Sequence, residues 1–161
     1  MDDATPSVEP AVHRQLAADL FNSTWELMDK SDRTPIENER MIHMAHASRY
    51  HWDRVGKPVH FARGEWLISR AYTLVNRGES ALYHAFASLR WCAEYDLGAF
   101  DVGFAHEAIA RAYAVQGAIA RRDAHVELAI QAAQSVDAEL DRTWLVKNIQ
   151  GVPSLLVPEW E

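Results

Sequence analysis

Residues 70–89, RAYTLVNRGESALYHAFASL, and residues 111–130, RAYAVQGAIARRDAHVELAI, share one layout. Each begins with Arg-Ala-Tyr, reaches a glycine about two helical turns later, and continues with alanines at helical spacing. Because glycine favours the turn that ends a helix, each stretch predicts a helix end, a turn and a second helix. Arginines recur at 49, 70, 90 and 111, an interval of one helix plus one turn. The recurrence predicts an array of stacked antiparallel helices.

The stretch from Trp66 to Val136 resembles the tetratricopeptide-type helical repeat. The two quoted stretches carry the resemblance, with Ala-Tyr late in a first helix, a glycine near the turn and alanines early in a second helix. Small residues let paired helices pack closely, and Tyr72 and Tyr113 would fill the space between pairs. The resemblance implies a right-handed array of helix pairs whose concave face binds a peptide or protein segment. It assigns no specific binding residue, because the ligand-contacting positions of that family vary.

Helical periodicity extends outward on both sides of this region. Apolar residues recur at helical spacing over residues 10–150, interrupted by glycine and proline, which predicts six or seven antiparallel helices. The phrase TPIE, from Thr34 to Glu37, predicts a capping box, and Asp101 is predicted to cap the fifth helix. Since the chain carries no alternating strand pattern, the predicted fold is all-α, either a TPR-like right-handed superhelix or a compact helical bundle.

The two ends of the chain differ in composition from the single helical domain predicted for residues 10–150. Residues 1–9 are polar and acidic, which predicts a flexible arm. Residues 151–161, GVPSLLVPEWE, contain two prolines and predict an extended tail. The apolar residues of the tail indicate that it lies in a groove, on its own chain or on a partner. A homo-oligomer formed through the tail is the linked expectation.

Composition excludes several classes of protein. The net charge of −7 makes a nucleic-acid backbone an unfavourable partner for the surface as a whole. No apolar run approaches the roughly 20 residues that a membrane-spanning helix needs. The single cysteine, Cys92, cannot form an internal disulfide, and the acidic N-terminus lacks the features of a signal peptide. We expect a cytoplasmic protein that binds neither nucleic acid nor membrane.

The favoured function is a non-enzymatic domain without a cofactor that binds a protein or peptide, or associates with itself. Neither HExxH, CxxC nor GxSxG occurs in the chain. The second to sixth helices are expected to form the groove. Its candidate lining residues are polar or charged and lie on several helices: His43, His46, Tyr50, Arg70, His84 and Arg111.

The alternative is a metal-binding helical bundle, with hydrolase or transferase activity, that holds a divalent ion such as zinc. Glu39, His43 and His46 lie on one polar stripe of the second helix. Neighbours on such a stripe can chelate zinc in pairs. Because Glu39 and His46 lie about 10 Å apart along the helix axis, a further ligand such as His84 or His106 must come from another helix.

The recurring arginines have two interpretations. Three of the four have an opposite charge four residues away, in the pairs Arg49–Asp53, Arg90–Glu94 and Glu107–Arg111. Arg70 has no such partner. In the other interpretation, several of the arginines line one groove and bind a carboxylate or phosphate group, including that of a small molecule. Because successive helices run antiparallel, alternate arginines of the series are expected to be neighbours.

Overall fold

The computed structural model describes residues 7–154, which form seven α-helices and contain no strand. The helices are α1 (Pro10–Asp29), α2 (Pro35–Val55), α3 (Pro58–Leu74), α4 (Gly78–Glu94), α5 (Ala99–Val115), α6 (Ile119–Gln134) and α7 (Glu139–Gln150). The all-α prediction is confirmed. None of these helices combines the length and the apolar character that crossing a bilayer requires. Most of the predicted arm (residues 1–9) and of the predicted tail (residues 151–161) lies outside the described residues.

The helix ends follow the local sequence. The predicted capping box is confirmed, because the Glu37 N–H donates to Thr34 Oγ1 at 3.2 Å and the Thr34 N–H donates to Glu37 Oε2 at 2.8 Å. Left-handed backbone at Asn76, Asp96 and Gly117 follows α3, α4 and α5. Asparagine, aspartate and glycine adopt this conformation more readily than other residues, so they end these helices at little cost.

The predicted capping role of Asp101 is wrong. Helix α5 begins three residues earlier than that role requires, with Gly98 at the N-cap, and Asp101 lies in the first turn. Its carboxylate accepts two hydrogen bonds from Arg63 of α3 instead. A negative charge in the first turn also interacts favourably with the helix dipole.

The helices pack as an array in chain order. Helices α1 and α2, α3 and α4, and α5 and α6 form three close pairs. The odd-numbered helices also form a row, in which α1 contacts α3, α3 contacts α5, and α5 contacts α7. Within residues 7–154, backbone contacts between helices join only those that are one or two positions apart in the chain. We call the surface shared by α1, α3, α5 and α7 the inner face.

Three buried serines join neighbouring helices and explain part of the repeated sequence phrase. Their hydroxyl groups donate to backbone carbonyls, in the pairs Ser48–Ala17 (2.7 Å), Ser69–Ala81 (2.8 Å) and Ser88–Ala62 (2.8 Å). Ser48 and Ser69 directly precede two of the recurring arginines. The recurrence therefore reflects helix packing as well as charge, since each buried hydroxyl needs a partner when two helices approach closely.

The core is assembled from small residues with a few large side chains between them. The fully buried large hydrophobic residues are Met41, Leu67, Ile68, Ile109 and Leu145. Leu145 seats α7 on α5, because a Cβ atom added at Gly103 would lie 2.5 Å from Leu145 Cδ2. The glycine thus leaves the space that the leucine occupies, and it fixes the position of α7 at the end of the row.

Candidate binding groove

Side chains from all four helices of the inner face surround one cavity of about 190 Å³, which we call the aromatic groove. Six aromatic side chains line it: Phe21 and Trp25 of α1, Trp66 of α3, Phe100 and Phe104 of α5, and Trp144 of α7. Each of α1, α3 and α5 contributes residues three or four apart, which lie on the same face of a helix. The row of odd-numbered helices therefore brings these residues together.

The aromatic rings contact one another across the groove. The ring centroid of Trp25 lies 5.4 Å from that of Trp66 and 6.4 Å from that of Trp144. Trp66 and Phe104 meet edge to face at 5.5 Å. These separations are within the range in which aromatic pairs attract each other. Trp66 is almost fully buried, whereas Trp144 is 45% exposed, so part of the aromatic surface remains available to a ligand.

A salt bridge closes one end of the aromatic groove. Arg63 donates from Nε to Asp101 Oδ1 at 2.8 Å and from Nη2 to Asp101 Oδ2 at 3.1 Å. The Arg63 guanidinium also lies 5.6 Å from the ring centroid of Phe100. Because both of its charges are paired, this end of the groove is electrostatically neutral.

A buried ionic network supports the groove wall at Trp66. Glu107, which is fully buried, accepts a hydrogen bond from Trp66 Nε1 at 3.0 Å and forms a salt bridge with Arg111. Arg111 also donates to the carbonyls of Asn148 (2.7 Å) and Gly151 (2.8 Å) at the end of α7. The positive guanidinium thereby binds the negative end of the α7 dipole and ties α7 to the groove wall.

Arg70 lies beside this network without an ion pair. Its guanidinium is 5.7 Å from the Trp66 ring centroid, on the same face of α3 as Arg63 and Trp66. Arg70 Nε is the one buried side-chain nitrogen or oxygen in residues 7–154 that lacks a hydrogen-bond partner. Burial lowers the pKa of Arg70 to about 10, Glu107 opposes that shift, and Arg111 adds to it. At neutral pH a desolvated cation without an ion-pair partner therefore lies beside Trp66 of the groove lining.

The six candidate residues from the sequence do not form one groove. Arg70 and Arg111 lie on the inner face, and they flank Glu107 as expected for alternate arginines. His46 and His84 lie on the opposite side of α3, with ring centroids 5.3 Å apart. Tyr50 is 47% exposed on α2. His43 lines a cleft with Glu39 and Tyr72. We call this cleft, together with His46 beside Tyr72 and the neighbouring His84, the polar cleft.

The histidines of the polar cleft already have hydrogen-bond partners on α3. His46 Nε2 lies 2.9 Å from the Tyr72 hydroxyl, and His84 Nδ1 lies 2.6 Å from Glu65 Oε2. Burial lowers the pKa of His46, and the nearby His84 lowers it further. This arrangement favours neutral His46 held against Tyr72.

The described residues contain no group of three or more His, Cys, Asp or Glu side chains arranged to hold a metal ion. His84, one suggested further ligand for Glu39, His43 and His46, is engaged by Glu65. The other, His106, pairs with His125 through nitrogen atoms 3.0 Å apart. The zinc alternative thus gains no support from residues 7–154.

Comparisons with protein-family models, with curated proteins and with solved structures returned no match to this chain.

The aromatic groove was not among the sites expected from the sequence. Tryptophan is also common in the packing between helices, so its presence does not by itself indicate a binding site. A usable signal was present, however: Phe21 with Trp25, and Phe100 with Phe104, both lie at i, i+4 on odd-numbered helices. The other signal was that Arg70, unlike the other recurring arginines, has no opposite charge four residues away, which is evident from the sequence.

Proposed function

We propose that this protein is a non-enzymatic, TPR-like helical domain that binds a peptide or protein segment in the aromatic groove. The observation that supports this proposal is the Arg70 guanidinium, which has no ion-pair partner, beside Trp66 of a cavity lined by six aromatic side chains. This combination suits a segment in which an acidic side chain lies near apolar ones. The single cysteine, whose thiol is buried, fits the cytoplasmic location that we also propose.

Each part of the groove has a defined role in binding. Partly exposed aromatic side chains such as Trp144 supply apolar contact area, and tryptophan is enriched among residues that dominate binding energy. Arg70 supplies a guanidinium that can pair with both oxygens of a carboxylate. Because Arg70 is already largely removed from water, a ligand carboxylate meets little competition from solvent there.

The proposal is tested by selecting binders from a library of phage-displayed random peptides. Trp144→Ala and Arg70→Gln remove the two groove features, and Tyr83→Ala is the matched control. Tyr83 is a large aromatic residue, 70% exposed on α4, and it does not line the groove. We expect the selected peptides to combine apolar and acidic residues and to bind the Tyr83→Ala variant as tightly as the wild type. Trp144→Ala and Arg70→Gln should each weaken binding at least tenfold.

Peptides that bind the Trp144→Ala and Arg70→Gln variants as well as the wild type would contradict the proposal. Circular dichroism melting of each variant shows whether weaker binding reflects unfolding. Trp144 is substantially exposed, so its replacement should leave the fold intact.

A further inference from the structure

The segment that follows the described residues has the composition that the aromatic groove favours. Residues 155–161, LLVPEWE, contain four large apolar side chains and two glutamates. We propose that this segment occupies the aromatic groove of its own chain, as an internal ligand that an external segment must displace. The inference rests on the proposed function, since it names the first occupant of the same groove.

The chain leaves α7 beside the groove wall. The Gly151 carbonyl accepts a hydrogen bond from Arg111, and the Pro153 carbonyl accepts one from Arg122 at 3.0 Å. Arg111 binds Glu107, which in turn holds the Trp66 indole. One buried network thus joins Gly151, four residues before the segment starts, to Trp66 in the groove lining.

The segment is long enough to cross the groove. Seven residues in an extended conformation span up to about 23 Å. The distance along α3 from Arg70, beside Trp66, to Arg63 in the groove lining is seven residues, or about 10 Å of helix. The segment can therefore bend back from Ser154 and still extend along the aromatic side chains.

The charge and the apolar character of residues 155–161 both match those of the aromatic groove and its surroundings. Glu159 and Glu161 flank Trp160, so an indole that enters the aromatic groove carries a carboxylate on each side of it toward Trp66 and the neighbouring Arg70. Arg70 offers the one buried donor without a partner in the described part of the chain. The carboxylate would complete the hydrogen bonding of Arg70, and the indole would cover exposed aromatic surface such as that of Trp144.

Occupation of the groove by the segment of the same chain has a measurable consequence. Only chains whose groove is empty can bind an external ligand, so the apparent affinity equals the intrinsic affinity multiplied by the fraction of such chains. The test uses a full-length variant, called the tail-serine variant, in which Leu155, Leu156, Val157 and Trp160 are all replaced by serine. The probe is a fluorescein-labelled synthetic peptide, VPSLLVPEWE, that corresponds to residues 152–161.

We expect the probe peptide to bind the tail-serine variant at least tenfold more tightly than the wild type, as measured by fluorescence anisotropy. Adding Trp144→Ala or Arg70→Gln to the tail-serine variant should abolish that gain, and adding Tyr83→Ala should preserve it. Equal affinity for the wild type and the tail-serine variant would overturn the inference.

Fluorine NMR of the wild-type chain labelled with 5-fluorotryptophan gives an independent measurement. The Trp160 resonance is assigned from its loss in Trp160→Phe. It should lie away from the position found in the free peptide, and it should shift in Arg70→Gln but not in Tyr83→Ala. A Trp160 resonance at the free-peptide position would overturn the inference.

The remaining outcomes separate this inference from the proposed function. If the probe peptide fails to bind the tail-serine variant while library-selected peptides bind it through Trp144 and Arg70, the inference is wrong and the proposed function stands. If neither binds, both are wrong. Light scattering of the wild-type protein should give the mass of one chain. If the wild type has the mass of two chains and the tail-serine variant has the mass of one, the segment occupies the groove of a second copy instead.

Discussion

Replacing Glu107 by glutamine should be among the most destabilising conservative changes in this protein. Glu107 is fully buried, and it is bound by Arg111 and by the Trp66 indole. Glutamine keeps the size of the side chain but removes its charge, which leaves Arg111 as a buried cation without a counter-ion. Removing one partner of a buried ion pair typically costs about 3–5 kcal/mol. For a chain of this length, each kcal/mol lowers the melting temperature by roughly 2–4 °C.

Urea denaturation measures the free energy of unfolding, and calorimetry measures the melting temperature. We expect a loss of about 3 kcal/mol or more and a decrease of about 10 °C in the melting temperature for Glu107→Gln. The matched control is Asp101→Asn, which breaks the salt bridge at the other end of the groove. Because its partner Arg63 is half exposed, that change should cost under about 1 kcal/mol.

A double-mutant cycle isolates the interaction between the two buried charges. Arg111→Met alone leaves Glu107 unpaired and should also be strongly destabilising, whereas Glu107→Gln with Arg111→Met leaves no buried unpaired charge. The double variant should therefore lose clearly less stability than the sum of the single variants. Additive losses, or a cost under about 1 kcal/mol for Glu107→Gln, would refute the assignment of this network as the connection between α5 and α7.

Three further predictions follow from the packing and the histidines. Leu145→Ala should cost about 3–5 kcal/mol in urea denaturation, because Leu145 is fully buried against Gly103. Burial and the neighbouring His125 lower the pKa of His106 to about 4, so as the pH falls the unfolded state takes up the proton before the folded state does. The contribution of His106 to the free energy of unfolding should therefore be complete above about pH 6.5 and be lost between about pH 6.5 and 4. For this partly exposed residue the loss should be about 1–2 kcal/mol. The decrease should shrink in His106→Gln. Adding zinc should leave the melting temperature unchanged. If zinc instead raised the melting temperature of the wild type but not that of His43→Ala, the metal-binding alternative would be restored.

The helices were predictable because their signals are local. Apolar spacing identifies one face of a helix, the Thr34–Glu37 capping box marks its start, and residues such as Gly117 mark its end. The order in which the helices pack could also be anticipated, since short connections leave successive helices few neighbours other than each other. The role of the serines beside the recurring arginines became clear only with the positions of their carbonyl partners.

The location of the groove was not predictable from the same signals. On α3, residues 63, 66 and 70 share one face, and residues 65 and 72 share the other. Both faces carry polar and aromatic side chains, so periodicity alone does not determine which of them meets α1 and α5. His43 and His46 of the polar cleft are visible in the sequence as a stripe on one helix. The aromatic groove, in contrast, depends on contacts between α1, α3, α5 and α7, whose residues are separated by up to nearly the whole length of the domain in the sequence.

Arg70 offers a way to separate a binding role from a structural one. An unsatisfied buried polar group costs about 1–3 kcal/mol, so a cation kept without a partner lowers the stability of the unliganded fold. In the tail-serine variant, in which we expect the groove to be empty, Arg70→Met should raise the free energy of unfolding by about 1 kcal/mol while it abolishes peptide binding. The measurements are urea denaturation and fluorescence anisotropy on the same samples. If Arg70→Met instead destabilised the chain by as much as Arg111→Met, Arg70 would be part of the supporting network and the groove would lack an anion-binding group beside it.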